Sequence, residues 1–460
     1  MTTLRPPIQL MLDLPIPDGG EASRSDVREV EVATAMSEPE SPVRTIDLME
    51  AICDPENIEA ALRVVVRNKG APGVDGITIR QLPSALEARW PEIEDQLLRG
   101  CYQPQPVRRV QIPKPDGGMR NLGIPTVIDR VIQQAVLQRL QPLWDPTFSE
   151  HSYGFRPGRS AHQAVAQAQA YVTEGYQFVV DIDLAKFFDR VNHDRLMARM
   201  AARVSDRRVL RLVRSYLTAG VLADGLFEAS QEGTPQGGPL SPLLSNLVLD
   251  ELDRELECRG HRFVRYADDC NVYVRSEQAG LRVMASLTRF IEGRLKLQVN
   301  AQKSAVARPW QRSFLGFTVT DEAQPRRRVA DKALTRFKDR VRDLTRRYRG
   351  VSLERMIADL NPLLRGWAGY FGFSQLRELG SLDGWTRRRL RCVVWVQWKT
   401  RGRRYRELKR LKVSERVASA AIFSPKGPWR LSSSSALHRA FTNKRFRDHG
   451  LFAMETLQSA

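Results

Sequence analysis

The sequence predicts an α+β protein in which a small antiparallel sheet flanked by helices gives way to an all-helical, strongly basic C-terminal third. Three observations lead there. Phe263-Val264-Arg265 and Cys270-Asn271-Val272-Tyr273-Val274 are rich in strand formers and are joined by Tyr266-Ala267-Asp268-Asp269, the pattern of a hairpin. Phe178-Val179-Val180-Asp181-Ile182-Asp183 is a short apolar run ending in acids, as a buried strand reaching a site would be. Beyond Phe317 the strand signals fade and Arg-rich amphipathic helices follow, for example Leu334 to Tyr348 and Leu353 to Phe371, which places a boundary near residue 320.

Taken in order, residues 1–43 carry repeated Pro and Gly and read as a mostly disordered extension. From Ile46 to Trp144 helical patterns alternate with punctuation at Ala71-Pro72-Gly73-Val74-Asp75-Gly76. A strand is expected over Val107 to Ile112, followed by a turn from Pro113 to Gly118. Val131 to Leu140 and His162 to Val172 have helical periodicity. A further helix begins at Ser241, placed to cap, with Pro242 in the first turn and an apolar stripe of Leu243, Leu244, Leu247, Val248, Leu252 and Leu256.

Lys plus Arg total 72 against 53 acids, a net charge of +19. Its location is more telling than its size: the balance is −9 over residues 1–60, +8 over 61–320 and +20 over 321–460. A tail of that charge suits a polyanion. The five cysteines show no C-x-x-C spacing, so neither a disulfide framework nor a thiolate zinc site is indicated, and a reducing cytoplasm is expected. No apolar run reaches the length of a membrane helix and no secretory signal is present, so no membrane partner is expected. The six histidines lack metal-ligand spacing and read as structural or exposed.

Adjacent carboxylates on a tight, half-buried turn repel one another unless a cation offsets them. Asp268 and Asp269 therefore point to bound Mg²⁺, the alternative being an ordinary exposed turn. Along the chain a basic turn precedes Asp183, Phe188 and Asp189, then Thr234-Pro235-Gln236-Gly237-Gly238, the Asp268 hairpin and Lys303. Nucleotidyl transfer needs carboxylates from separate strands to hold two Mg²⁺ ions about 4 Å apart. Asp183, Asp268 and Asp269 meet that need.

This ordered set, with Tyr153-Gly154-Phe155-Arg156-Pro157-Gly158-Arg159-Ser160 and Phe314-Leu315-Gly316-Phe317, resembles the bacterial group II intron reverse transcriptase/maturase family from about Ile46 to Gly450. The resemblance implies a right-hand polymerase with fingers and an antiparallel palm over residues 44–320. A helical thumb, maturase domain X, would follow over 321–412, and a basic nucleic-acid-binding region over 413–460. It implies that Asp183, rather than Asp181, joins Asp268 and Asp269 as catalytic metal ligand, and that Phe188 excludes a 2′-hydroxyl unless it is plain core. Lys114 and Arg120 would grip the triphosphate from the fingers hairpin or else cap a solvated tip. Gln236 would line the nucleotide sugar and Lys303 would meet the leaving pyrophosphate. Phe314 to Phe317 is similar to a primer grip, or is core. Arg156 and Arg159 would touch template phosphates, a structural ion pair being the alternative.

In the basic third, Asn361-Pro362-Leu363-Leu364-Arg365-Gly366-Trp367 resembles the maturase signature. Trp367, Tyr370 and Phe371 share one helical face that suits core better than RNA stacking. Arg365, Arg388, Arg403 and Arg404 are the candidate nucleic-acid contacts there. The family's Cys-rich endonuclease is expected to be absent. The implied activity is RNA-directed DNA synthesis with two Mg²⁺ ions, on an RNA template with a DNA primer and dNTPs, with binding of the group II intron RNA for splicing and of target DNA for mobility. Alternatives are a splicing chaperone with a dormant polymerase, or a domesticated relative in DNA repair or antiviral defence.

Overall fold

The computed structural model describes residues 47–113, 118–223, 226–228, 233 and 237–457. The expected N-terminal extension, Lys114, Gln236 and the side chain of Arg120 lie outside the described residues. The first helices are α1 (Leu48–Cys53), α2 (Pro55–Arg67) and α3 (Leu82–Leu98). Strands β1 (Val107–Pro113) and β2 (Met119–Ile124) lead into α4 (Val127–Trp144) and α5 (Ala161–Thr173). Strand β3 (Phe178–Ile182), helices α6 (His193–Ala201) and α7 (Arg207–Thr218), and short strands β4 (Val221–Ala223) and β5 (Leu226–Glu228) follow. Helix α8 (Ser241–Cys258), the hairpin β6 (Arg262–Tyr266) and β7 (Asp269–Val274), α9 (Glu277–Phe290), β8 (Ala305–Ala307) and the pair β9 (Phe317–Val319) and β10 (Arg327–Val329) complete the mixed part. The rest is helical: α10 (Asp331–Leu344), α11 (Leu353–Phe371), α12 (Glu378–Gln397), α13 (Arg401–Arg410), α14 (Glu415–Ile422) and three short helices, α15 (Pro428–Leu431), α16 (Ser435–Ala440) and α17 (Asn443–Asp448).

Helix ends follow local chemistry. Asp54 caps α2 ahead of Pro55, and Ser160 with Gln163 forms a full capping box on α5. Ser241 is a correction: the cap position of α8 is Leu240, and Ser241 is the first helical residue. Another is that α10 ends at Leu344 rather than Tyr348, and the strand pair β9/β10 straddles the boundary expected near residue 320.

Two sheets organise the mixed part. One runs β2-β1-β4-β5, with β1 and β4 parallel and the other pairs antiparallel. The other runs β6-β7-β3-β8 and is antiparallel throughout. A large core, from Leu48 to Leu297, packs α4, α8 and the helices beside them against that second sheet. Within it Asp129 is buried and accepts from Thr126 Oγ1 (2.7 Å), Tyr102 Oη (3.0 Å), Tyr216 Oη (3.3 Å) and Gln105 N (3.3 Å). A separate core, from Val329 to Met454, belongs to the helical part. Trp367 sits in it, 4.6 Å from both Phe337 and Phe371 between ring centres. Among the described residues no helix is long and apolar enough to cross a membrane.

Candidate active site

Sheet register gathers the acids. Antiparallel pairing of β3 with β7 sets Asp181 opposite Asn271 and Ile182 opposite Cys270, so the next step along the ladder brings Asp183 alongside Asp269. Asp183 is fixed by its backbone: its N–H donates to Ser304 Oγ (3.0 Å) and its carbonyl accepts from Asn300 N (2.8 Å). The same loop carries Lys303, whose Nζ lies 4.0 Å from Asp183 Oδ2. Asp181, two residues back along the strand, is claimed by Arg312, which donates to its Oδ2 at 2.8 and 2.5 Å and also to the Lys303 carbonyl at 2.6 Å. Asp181 is thus a strand-end ion-pair partner that helps hold the Lys303 loop.

Tyr266 and Asp269 pair across a two-residue turn, with Ala267 at φ 56°. A non-glycine residue at positive φ is strained, so the turn needs support. Arg265 supplies it. Fully buried, it makes a bidentate pair with Asp253 (2.6 and 2.5 Å) and donates to Asn246 Oδ1 (3.1 Å), Ser152 Oγ (2.7 Å) and the carbonyl of Ala267 itself (2.9 Å). Gly154 lies directly against the turn, where a β-carbon would overlap Ala267 N, and its carbonyl accepts from Asn246 Nδ2 (2.9 Å). Sequence reasoning missed this scaffold. Its signal is a cation inside an apolar strand and an acid, Asp253, on the buried face of α8.

Phe187 and Phe188 divide the labour at the end of the Asp183 segment. Phe187 is core, while Phe188 is half-buried and packs edge-on against it at 5.2 Å. The described residues of the glycine-rich segment, on either side of 234–236, have fixed partners. Gly233 N donates to Val191 O (2.9 Å), and its carbonyl meets His193 Nε2 (2.6 Å). Gly237, at φ +123°, approaches Gly123 so closely that a β-carbon would lie 2.7 Å from the Gly123 carbonyl oxygen. That contact joins the loop to β2, the strand that carries Arg120. The β1/β2 hairpin is formed as expected, with Ile112 opposite Arg120. At Phe314-Leu315-Gly316-Phe317 a tight turn has both central residues at positive φ, and Tyr370 Oη of α11 donates to Leu315 O (2.8 Å).

Electrostatics mark the cluster as short of positive charge. Burial and the carboxylates of Asp268, Asp181 and Asp183 push Asp269 up to about 7, with Lys303 opposing. Among the described residues no group of three His, Cys, Asp or Glu side chains already stands in metal-binding arrangement. The donor set nevertheless suits a hard divalent cation, because the acids are oxygen ligands whose mutual repulsion a cation would relieve. Asp181, already paired with Arg312, is the acid least available for it.

The proposed nucleic-acid arginines separate. Arg156 is a correction: it is buried, donating to Asp145 Oδ1 (2.9 Å), Asp145 O (2.7 Å), Ser149 O (2.6 Å) and Ser152 O (2.9 Å), and so is spent on structure. Arg388 also turns inward, donating to Ser432 Oγ (3.3 Å) and Trp429 O (3.1 Å), with its guanidinium 4.1 Å from the Trp429 ring centre. Arg404 stacks over Trp395 at 4.5 Å. Arg159 is half-buried, donating to Glu150 O (3.0 Å). Arg365 and Arg403 are exposed.

By family model the chain falls in the reverse transcriptase class. The family model for reverse transcriptase (RNA-dependent DNA polymerase) matches residues 112–319, and that for the group II intron maturase-specific domain matches residues 334–412. Protein YkfC of Escherichia coli K12 is 36% identical over 299 residues, 56% of this chain and 78% of that protein. The group II intron-encoded protein LtrA of Lactococcus lactis is 37% identical over 201 residues, 44% of this chain and 33% of LtrA. A putative COX1/OXI3 intron 1 protein of Saccharomyces cerevisiae is 29% identical over 242 residues, 52% of this chain and 28% of that protein. The chain belongs to the group II intron reverse transcriptase/maturase family, and it spans about a third or less of the two intron-encoded relatives.

Proposed function

We propose that this protein is an RNA-directed DNA polymerase that extends a DNA primer on an RNA template, and that it binds its intron RNA to promote splicing and target DNA to promote mobility. The observation carrying the proposal is the meeting of Asp183 and Asp269 at the ends of β3 and β7, with Asp268 beside them and Lys303 on the facing loop. In this reading residues 44–320 are fingers and palm, 321–412 the thumb and 413–460 a basic nucleic-acid-binding region.

Asp183, Asp268 and Asp269 would hold two Mg²⁺ ions, which when bound activate a primer 3′-hydroxyl and stabilise the charge developing on the dNTP phosphates. Lys303, held by the Arg312 contact to its carbonyl, faces the side on which pyrophosphate departs and neutralises it. Phe188, propped on Phe187, presents a rigid edge to the sugar and excludes the 2′-hydroxyl. Lys114 and Arg120 grip the triphosphate from the hairpin, and Gln236 lines the sugar from the glycine-rich loop.

Primer extension on an RNA template with dNTPs and Mg²⁺ tests the proposal, comparing wild type with Asp268→Ala/Asp269→Ala. cDNA is expected from wild type alone, with RNA affinity equal in both. Mg²⁺ should also raise the melting temperature of wild type and leave that of the double variant unmoved, since the repulsion it relieves is gone. Tight RNA binding without cDNA from wild type would overturn the polymerase reading in favour of a splicing chaperone.

A further inference from the structure

Phe155 is placed against what folding alone favours. It is an aromatic residue at φ +60°, a conformation in which bulky side chains are outliers, and 39% of it is exposed. The residues on either side explain why it does not relax. Gly154 is pressed against the catalytic turn and held by Asn246, while Arg156 is fixed by its bonds to Asp145, Ser149 and Ser152. Between these clamps the chain turns Phe155 outward, its ring centre 6.3 Å from that of Tyr266 and inclined at 46°. Tyr266, and Phe314 and Leu315 of the turn held by α11, pack against the same small core of Tyr153, Val264 and Tyr273. The exposed ring therefore lies beside the turn that carries Asp268, on the side of Tyr266 and the Phe314–Phe317 turn.

Strain and solvent exposure of an aromatic ring both oppose folding, and both persist where neighbouring structure over-determines them, as at ligand sites. We propose that Phe155 is a substrate-positioning residue whose ring, with Tyr266, packs against the sugars of the 3′-terminal nucleotides of the primer in the primer–template duplex. This rests on the polymerase reading above. A strand whose 3′-hydroxyl reaches Asp183 and Asp269 must pass close to Tyr266, two residues before Asp268, and in a duplex, whose bases already stack on one another, a ring beside the strand meets the sugars, a contact indifferent to base identity. Packing there would hold the terminus in line for attack.

The test measures affinity for an RNA template annealed to a recessed DNA primer, and melting temperature, in wild type, Phe155→Asn and Phe155→Trp. Asn tolerates positive φ, so Phe155→Asn should melt at or above the wild-type temperature while binding the duplex about tenfold more weakly, the scale of one lost apolar ring contact. Phe155→Trp should bind as wild type does. Single-stranded RNA, which offers no primer terminus, should bind all three equally. The proposal is overturned if Phe155→Asn keeps wild-type duplex affinity, if it melts several degrees lower, if Phe155→Trp loses as much, or if single-stranded RNA is weakened alike. Failure of wild type to extend the primer would instead sink the polymerase reading, a distinguishable result.

Discussion

At the scale of single residues, a few buried side chains aim the chemistry. Arg265 and Asp253 are wholly buried, and a buried ion pair adds little net stability over an apolar pair of the same shape. Its value here is directional, because one guanidinium nitrogen holds the carbonyl of the strained Ala267. Asp253→Asn leaves a buried cation without its counter-charge and should destabilise the protein by about 3–5 kcal/mol, read from urea unfolding, with activity falling further than the folded fraction predicts. On the proposed function, Phe188→Ala removes the edge offered to the sugar and should erode preference for dNTP over NTP by about tenfold or more, measured as the ratio of kcat/KM values; unchanged discrimination would reassign Phe188 to the core. The family resemblance favours Asp183 over Asp181 as a ligand, and the structure adds that Arg312 occupies Asp181. Sequence left open whether Arg156 meets phosphate or an ion pair, because a basic residue in a Gly- and Pro-rich loop carries no periodicity to report burial.

At the scale of elements, legibility followed length and periodicity. Helix α11 spans Leu353–Phe371, as its apolar pattern predicts, and β3 and the β6/β7 hairpin fall where apolar runs end in acids. Strands β4, β5, β9 and β10 are three residues each, too short for alternation to show, and are set by the partners they meet. The β6/β7 hairpin shows how such tertiary contacts act. Its turn is buttressed by Gly154, in the loop whose Arg156 the resemblance assigns to template phosphates and the structure buries. Gly154→Ala would drive a β-carbon into the backbone of Ala267. The turn must then move by a fraction of an ångström to about 1 Å, and misplacement on that scale costs on the order of 100-fold in rate. Single-turnover primer extension should show that loss, while circular dichroism should still report a folded chain.

For the whole molecule, charge and packing divide the work between two cores. The acids and the glycine-rich loop are positioned by the core of the mixed part, whereas the +20 balance of residues 321–460 lies on helices packed around the second core. Part of that charge is consumed internally: Arg391 is buried and donates to the Phe441 carbonyl at 2.9 and 3.1 Å, and burial lowers its pKa to about 10. What remains exposed includes Arg365 and Arg403, together with Tyr348 (79% exposed) and Phe423 (69%), whose ring lies 5.6 Å from the Arg401 guanidinium. Cations interleaved with exposed rings suit single-stranded nucleic acid, and each phosphate neutralised releases counterions, so affinity should fall with a log–log salt slope of about −0.7 per contact. Arg365→Ala/Arg403→Ala should therefore weaken intron RNA binding and make that slope shallower by about 1–2, with an unchanged melting temperature. Arg156→Ala should do the reverse, lowering the melting temperature and leaving the slope in place, because its guanidinium is spent inside the protein. Equal slopes in wild type and the double variant would move the RNA-binding face away from Arg365 and Arg403.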